Sequence, residues 1–278
     1  MVASFERARE LVYRSGRVLE QRLFESLFDG AGPEGVVSAV LAYRNTDGGF
    51  GHGLEPDKLA PQSQPLDVQT ALARLHDAGA SQPQIAFQAA EWLDTVADER
   101  GLVPIVLPSV AEYPRANHWA DGEFPPAVNC TIGIAGYMHA LGIQHPWLER
   151  ATETCLDELR ASPPKDAHGI HDAIVFIRNA SGVEGLGDQL REALPGAEWF
   201  KSDPADEGYG LPPTRFPREW FEEDVYEAHL DRLESEQDEE GGWPIAWEPP
   251  GRGSYHAWRA IFAVEALQIL DENGRLER

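Results

Sequence analysis

Apolar side chains recur at helical spacing along most of the chain, and no window alternates with a period of two. In the first half, this pattern predicts helices over about 5–28, 34–44, 66–78 and, through Ile85 to Val96, a fourth. In the second half it predicts helices over about 127–142, 146–160, 183–194, 221–236 and 254–271, with an apolar helix through Ala173–Ile177. The pattern therefore predicts an all-α fold.

The predicted helices are of two kinds. One kind is amphipathic with a charged outer face, as in residues 146–160. The other kind is nearly uncharged, as in residues 127–142, and its apolar side chains surround the helix. Alternation of the two kinds indicates an outer ring and an inner ring, an α/α toroid of about five to six helix pairs. No flexible linker interrupts the pattern, so we expect one toroid domain over residues 1–278.

Two glycine-rich turns separate helices of these kinds. Asp47-Gly48-Gly49-Phe50 is repeated as Glu240-Gly241-Gly242-Trp243, and in each a bulky aromatic follows the glycine pair. Glycines there are expected to include positions with φ > 0. Weaker copies are Asp98–Pro104, His168–Ile170 and Asp206–Pro212. A turn repeated between helices is typical of a repeat architecture.

Composition excludes several classes of partner. The formal net charge of −24 argues against nucleic acid and anionic membrane surfaces, and no Lys/Arg cluster favours a diphosphate. No apolar run approaches the ~20 residues that span a bilayer. The two cysteines, Cys130 and Cys155, have no paired spacing, which predicts a reducing, cytoplasmic setting. The oligomeric state is left open.

The two sharp turns carry a resemblance to a family. The Gln237…Gly241-Gly242-Trp243 segment resembles the glutamine–tryptophan repeat of squalene–hopene cyclases, and Asp47–Gly51 resembles the corresponding turn of protein prenyltransferase β subunits. The chain as a whole is similar to small bacterial members of the prenyltransferase and squalene oxidase repeat superfamily. This resemblance implies an α/α toroid with a central, aromatic-lined cavity. Family members include triterpene and class II diterpene cyclases and zinc-dependent protein prenyltransferases, while non-enzymatic toroids share the shape.

The chain departs from the family's known chemistry at two motifs. The Asp-x-Asp-Asp acid motif of class II cyclases is absent, and its closest substitute, Glu222-Glu223-Asp224, is expected to be a solvated helix start. The Asp-x-Cys zinc pair of prenyltransferases is also absent, although Tyr255-His256 resembles the His-bearing segment. We therefore expect no metal ligands and no cofactor, with zinc or another divalent cation as the open alternative.

The family's cavity mouth lies at the starts of the inner helices, and this places four polar groups together. They are Asp67, Asn129 with Cys130, His171 with Asp172, and Tyr255 with His256. A carboxylic acid in an apolar pocket has a raised pKa and can act as a general acid. We take Asp172 as the acid, assisted by His171 and His256. The alternative for Asp67 and Asp172 is that they are helix N-caps.

A further set is expected to bind the substrate. Its members are Asp67, Trp119, Tyr209, Trp243, Trp247, Tyr255, Trp258, His52, Glu55 and Asp57. The aromatic members would line the cavity and stabilise cations through their ring faces. The loop residues His52, Glu55 and Asp57 would cover the cavity or bind a cation through oxygen. The simpler alternatives are helix packing for Trp243, a turn for Glu55 and Asp57, and a buried thiol for Cys130.

These observations predict an enzyme that cyclises or isomerises a hydrophobic, isoprenoid-type small molecule by Brønsted-acid chemistry. One alternative is a zinc-dependent, prenyltransferase-like transferase or lyase using Cys130, His171 or His256. A second is a non-catalytic toroid that holds a lipid or a peptide. A cavity lined only by apolar groups, with Asp172 bonded to backbone amides, would favour this second alternative.

Overall fold

A computed structural model of the chain describes residues 3–277 and is all-α. Its helices are α1 (Phe5–Ser15), α2 (Val18–Phe28), α3 (Glu34–Leu41), α4 (Pro65–Asp77), α5 (Pro83–Val96), α6 (Val128–Ala140), α7 (Pro146–Ala161), α8 (Ala167–Asn179), α9 (Leu186–Ala193), α10 (Glu223–Ser235) and α11 (Arg252–Glu272). Within residues 3–277, β pairing is limited to isolated bridges such as that between Arg44 and Phe50. The predicted fold class is confirmed, and the toroid arrangement stays a prediction.

Most helices begin and end close to the predicted positions, but the first predicted helix is two. The break falls at Gly16 and Arg17. A Cβ at Gly16 would lie 2.9 Å from the Cβ of Ala260, so α11 packs directly on the break. The second helix then starts with its own cap, because Glu20 Oε2 accepts the Arg17 N–H at 3.0 Å. Close packing and a cap, rather than the apolar pattern, decide this boundary.

The chain forms two compact units. One contains the chain up to Ala39 together with the chain from Lys201 onward, and the other is Val40–Phe200. In the first unit α11 packs on α1, α2 and α10. In the second unit α6 packs on α4, α7 and α8, and α5 packs on α4 and α7. The prediction of a single toroid domain is not tested by this division.

The uncharged helix α6 is the centre of the second unit, as its composition predicts. Its side chains from Cys130 to Gly136 are all buried. Two glycines let α8 approach its backbone: a Cβ at Gly136 would lie 2.7 Å from Phe176 N, and one at Gly133 would lie 2.9 Å from Asp172 Cγ. Small residues at a helix contact allow this short separation. The approach brings α8 side chains against α4 side chains across α6.

The predicted repeated turn is present three times with the same backbone hydrogen bonds. The N–H groups of Asn45, Asp98 and Asp238 donate to the carbonyl oxygens four residues later, at 2.9 Å in each turn. In the reverse direction, a glycine N–H in each turn donates to the carbonyl oxygen of Asn45, Asp98 or Asp238. The donors are Gly48, Gly101 and Gly241, at 3.2, 3.0 and 3.1 Å. Phe50, Val103 and Trp243 follow at the same position and are buried.

Each turn needs glycine for two reasons. Gly48, Gly101 and Gly241 have φ values of +96°, +84° and +91°, a region that side chains with a Cβ rarely adopt. Each also touches the backbone of a neighbouring helix: Cβ atoms there would lie 2.6 Å from Gln88 O, 2.8 Å from Ala151 N and 2.2 Å from Arg7 O. The turns therefore fasten helices α5, α7 and α1 by direct backbone contact.

The two remaining predicted copies of the turn differ from these three. His168-Gly169-Ile170 lies inside α8, so its interpretation as a turn is wrong. The N-cap of α8 is Asp166, whose carboxylate accepts the Gly169 N–H at 2.9 Å. Asp206–Pro212 contains a glycine with positive φ, Gly208, but Asp206 N–H donates back to Asp203 rather than forward.

Candidate functional site: carboxylates in the second unit and an aromatic cluster in the first

Asp67 lies in the first turn of α4 and joins that helix to the preceding loop. Gln64 is the N-cap of α4 and Pro65 is its first residue. Asp67 is therefore not the N-cap, and its side chain can bind other groups. Its Oδ1 accepts the Glu55 N–H at 2.7 Å and the Lys58 ammonium at 2.7 Å. Asp67 therefore binds the loop 52–60, which approaches it from the preceding turn.

The partner of Asp67 is a lysine that is fully buried. Lys58 Nζ lies 2.7 Å from Asp67 Oδ1 and 3.3 Å from Glu55 Oε2, so one ammonium serves two carboxylates. Asp67 Oδ2 is buried and has no hydrogen-bond partner within the described part of the chain. Asp57 in the same loop is also buried, and its Oδ2 lies 3.6 Å from His118 Nε2.

Burial dominates the electrostatics of this group. It raises the pKa of Asp67 to about 6, although the Lys58 charge and the Glu55 N–H oppose the increase. Burial lowers the pKa of Lys58, but the charges of Asp67 and Glu55 outweigh it and the net pKa is raised. The ammonium therefore stays charged, and Asp67 is the group whose proton occupancy changes near neutral pH.

Asp172 lies in the second turn of α8 and is not an N-cap, because Asp166 holds that position. Its residue is 8% exposed, and its Oδ1 accepts a 2.8 Å hydrogen bond from Gln69 Nε2 on α4. Its neighbour His171 is exposed, and the Nδ1 of that ring lies 3.9 Å from Asp172 Oδ1. The acid predicted from sequence is thus held by a side-chain amide beside an imidazole.

Gly133 of α6 lies between Gln69 and Asp172. A Cβ there would be 2.5 Å from Gln69 Nε2 and 2.9 Å from Asp172 Cγ, so the two side chains meet over the bare backbone. One turn earlier, Asn129 and Cys130 leave helical geometry, and Cys130 has φ +71° and ψ −51°. A non-glycine residue in that region is strained and is found where surrounding packing enforces it.

Cys130 connects the two carboxylates electrostatically. Its side chain is fully buried, and burial raises the pKa of its thiol well above the ordinary value. The charges of Asp172 and Asp67 raise it further, while Lys58 lowers it. The starts of α4 and α6 and the second turn of α8 therefore bring Asp67, Cys130 and Asp172 into one neighbourhood, while the predicted role of these residues in a catalytic site stays a prediction.

The first unit holds an aromatic cluster composed of Tyr209, Trp247, Trp258 and Phe262. Trp247 is nearly perpendicular to its three neighbours, with ring centroids 5.5 Å from Tyr209, 5.1 Å from Trp258 and 5.8 Å from Phe262. Tyr209 remains exposed, while Trp247 and Trp258 are half-buried. Three aromatic residues predicted to bind substrate, Tyr209, Trp247 and Trp258, are thus assembled in one partly exposed cluster.

The other predicted residues of the first unit are arranged separately. Tyr255 is exposed and packs edge-on against His256, with ring centroids 5.6 Å apart. Trp243 is buried and its indole N–H donates to the Leu233 carbonyl at 2.7 Å, which is the packing role considered as its alternative. Their assignment to substrate binding stays a prediction.

The loop residues of the second unit also have structural partners. His52 Nε2 lies 2.9 Å from Asn45 Oδ1 of the first turn, and its φ is +59°. Trp119 packs with Val110 and Ala116 in a small core beneath the loop, and His118 stacks against it edge-on at 4.7 Å. This small core and the contact between Asp57 and His118 join the loop 52–60 to residues 113–119.

The zinc site implied by prenyltransferases does not fit these residues. A cysteine binds zinc as its thiolate, whereas the Cys130 thiol is buried with its pKa well above the ordinary value. In residues 3–277, no group of three or more His, Cys, Asp or Glu side chains is arranged to hold a metal ion. The expectation that zinc is not tightly bound stays a prediction.

Sequence reasoning missed four residues of these clusters. Lys58, Gln69, His118 and Phe262 occur in no motif, and each is identified only through its partner. Lys58 offered the one usable signal, because it lies in an acidic loop with Glu55 and Asp57. An amide such as Gln69 offers none, since neutral side chains carry no charge pattern.

Comparisons with known proteins inform the fold only. No family model matches the chain, and no curated protein matches it. Among solved structures, it is similar to a crystal structure of a protein from Actinoplanes, with a TM-score of 0.60 and 15% identity, covering 94% of this chain and 97% of that one. At this identity the likeness supports the fold and carries no information on activity.

Proposed function

We propose that the protein is an enzyme that cyclises or isomerises a hydrophobic, isoprenoid-type substrate by protonating it from Asp172. The observation that carries the proposal is the setting of this carboxyl group. It is nearly buried on α8, it is bonded to the neutral side-chain amide of Gln69, and it lies beside His171. An acid bonded only to backbone amides would have favoured a purely structural role.

Asp67 is a weaker candidate for the reacting acid, despite its raised pKa. Its side chain is fully buried, and its Oδ1 already accepts from Glu55 and Lys58. A general acid must come within hydrogen-bond reach of the atom that it protonates. The Asp172 side chain is 12% exposed, so it retains a path to solvent that Asp67 lacks.

His171 supports the proposal as the group that returns the proton. Its side chain is 41% exposed, so the ring exchanges protons with water, and its Nδ1 is 3.9 Å from the carboxylate. An imidazole ring can both accept and donate a proton, which suits it to this transfer. After the substrate is protonated, Asp172 carries a negative charge and the substrate is a carbocation. The rearranged cation loses a proton to water, and His171 passes a proton from water back to Asp172, so no proton is gained or lost over the turnover.

The aromatic cluster of the first unit supports a hydrophobic ligand. Its rings are only partly covered, so an apolar molecule can pack against them within this unit. The chain's charge of −24 disfavours a diphosphate ligand, so an uncharged isoprenoid is the expected class. No helix of the described residues is long and apolar enough to cross a membrane. With both cysteines unpaired and buried, we place the reaction in the cytoplasm.

The proposal is tested with a panel of linear isoprenoid alcohols and hydrocarbons. Products are identified by gas chromatography and mass spectrometry for the wild type and for Asp172→Asn, and binding is followed by tryptophan fluorescence. We expect turnover by the wild type and a loss of about 100-fold or more in Asp172→Asn, with binding retained. An Asp172→Asn protein as active as the wild type would remove Asp172 as the acid. Binding without turnover in both proteins would favour the non-catalytic toroid.

A further inference from the structure

The loop 52–60 is fastened to α4 by a buried cluster in which charge is not balanced. Lys58 is the one cation, and the carboxylates of Asp67 and Glu55 both lie within 3.3 Å of its ammonium. All three side chains are at least nine-tenths buried. Two negative charges and one positive charge leave an excess of one negative charge in a site with little solvation. Burying an uncompensated charge costs free energy, and a group in that position tends to neutralise.

The second oxygen of Asp67 indicates where neutralisation occurs. Oδ1 accepts from Glu55 N–H and from Lys58, whereas Oδ2 is buried and has no hydrogen-bond partner within residues 3–277. Glu55 Oε2 also lacks a hydrogen bond in the described chain, but it lies 3.3 Å from Lys58 Nζ, whereas the ammonium approaches Asp67 at the other oxygen, Oδ1. A proton on Asp67 Oδ2 neutralises that carboxylate without breaking either bond to Oδ1.

We infer that the closure of the loop 52–60 on α4 is strengthened when the cluster of Asp67, Lys58 and Glu55 takes up one proton. The loop is closed by backbone bonds as well, since His52 N–H donates to Ala60 O at 2.9 Å and Leu59 N–H to Pro114 O at 3.0 Å. When the loop opens, Asp67 becomes solvated and returns to its ordinary acidity.

The direction follows from linkage between proton binding and closure. Asp67 has a pKa of about 6 when buried and 3.8 as the ordinary value, so the closed loop binds the proton more tightly than the open loop. Acid therefore favours the closed loop, and opening becomes easier as the pH rises through about 6. The difference between the two pKa values corresponds to a change in the opening constant on the order of 100-fold.

The other groups that face the cluster can be separated from Asp67. His118 approaches Asp57 and is influenced by Glu55, but burial lowers the pKa of its ring. Acid would therefore favour exposure of His118, whereas acid favours the closed loop through Asp67. The Cys130 thiol of α6 has its pKa raised well above the ordinary value and stays neutral. Asp172 of α8 is bonded to Gln69 rather than to the cluster.

The test is hydrogen exchange of the loop amides at about pH 5 and about pH 7.5, corrected for the intrinsic pH dependence of exchange. In the wild type, we expect the amides of His52, Glu55 and Leu59 to open about 10-fold more often at pH 7.5 than at pH 5, because pH 5 lies only one unit below the pKa of about 6 in the closed loop. Asp67→Asn keeps an oxygen that can accept from Glu55 N–H, but its side chain cannot ionise. The loop amides of this variant should therefore open equally often at the two pH values. Glu99→Gln, an exposed carboxyl in the same unit, should retain the wild-type dependence.

Two further variants keep the inference falsifiable if Asp67→Asn fails to fold. Lys58→Met removes the cation and should move the transition to higher pH, because an unpaired Asp67 binds its proton more tightly. His118→Gln should leave the transition in place. Slower opening at the higher pH in the wild type would overturn the inference. So would an unchanged pH dependence in Asp67→Asn or, if that variant does not fold, an unchanged transition in Lys58→Met.

Discussion

Gln69 and Asp172 are joined by a 2.8 Å hydrogen bond that passes over the backbone of Gly133. Three helices contribute to this contact, with the donor on α4, the acceptor on α8 and the glycine on α6 between them. The bond fixes the position of one oxygen of the proposed acid. A primary amide donates to a carboxylate and, after rotation, accepts from a carboxylic acid, so the same partner suits both protonation states.

Replacing Asp172 separates a chemical from a structural role. Because Asp166 caps α8, Asp172→Ala should not incur the ~1 kcal/mol cost of a lost cap. If Asp172 is the acid, turnover of the isoprenoid panel should fall by about 100-fold or more in both Asp172→Ala and Asp172→Asn. Thermal melting and product analysis of the same samples provide the two readouts. Full activity in either variant would contradict the assignment.

A methyl group at Gly133 should disturb the same contact. In Gly133→Ala the new Cβ would lie 2.5 Å from Gln69 Nε2, so we expect about 1–3 kcal/mol of destabilisation from overpacking. Gly187→Ala on α9 is the matched control, since its nearest neighbour would be 3.7 Å away. The control should be neutral or stabilising, because alanine favours helix. Urea denaturation measures the unfolding free energy of both variants. Equal changes in the two would contradict the close approach of Gln69 and Asp172 to Gly133.

The turn glycines should differ in their tolerance of a side chain. Gly241→Ala places a Cβ 2.2 Å from Arg7 O at a position where φ is +91°, so strain and a backbone clash act together. We expect a loss of more than about 2 kcal/mol. Gly208 also has a positive φ, +81°, but has no atom within 4 Å of a Cβ, so Gly208→Ala should cost only about 1 kcal/mol. Chemical denaturation that ranks the two variants in the reverse order would refute the packing of this turn on α1.

Replacing a buried tryptophan and an exposed one should change stability by different amounts. Trp243→Ala removes a buried side chain and its hydrogen bond to Leu233, and should cost about 3–5 kcal/mol. Trp199 is 51% exposed, so Trp199→Ala should cost less than about 1 kcal/mol. Calorimetric melting measures the stability of both variants. A stable Trp243→Ala protein that loses only isoprenoid binding would instead support the predicted role of Trp243 in a substrate site.

Global stability should depend on pH through Asp67. Its pKa is raised on folding, from 3.8 to about 6, so the stability it contributes is fully present below about pH 4 and is lost as the pH rises through 6. Relative to Asp67→Asn, the wild type should lose about 3 kcal/mol of unfolding free energy over that interval. Urea titrations at several pH values measure the difference. Parallel curves for the two proteins would show that Asp67 titrates alike in both states.

Much of the fold could be predicted from sequence, because apolar periodicity reports directly on helices. The boundaries that failed were set by tertiary contacts. Gly169 suggested a turn, but it lies in α8 beside Pro164, whose Cβ would be 2.7 Å from an added Cβ. The glycine therefore serves close packing rather than a change of direction. The break at Gly16 has the same origin in its contact with Ala260.

The site was less accessible to sequence reasoning. Asp67 and Asp172 could be proposed because the family resemblance implies a cavity mouth at the starts of the inner helices, where both residues lie. Their partners could not, since the Lys58 ion pair and the Gln69 hydrogen bond depend on how separate segments pack. The strained backbone of Cys130 was also missed, because the uncharged sequence around it is compatible with an uninterrupted helix.

The division of the chain between its two units has a consequence for the order of events during synthesis. Val40–Phe200 is contiguous, so all of that unit has been synthesised once Phe200 leaves the ribosome, whereas the other unit needs both flanking segments. Ser4 at the start of α1 is bonded through its N–H and carbonyl to the side chain of Gln237, 233 residues later. At roughly 5–20 residues per second, α1 waits roughly 10–50 s for that partner. During that interval the apolar face of α1 lacks its contacts with α11, so the core of the first unit is completed only after the last helix is made.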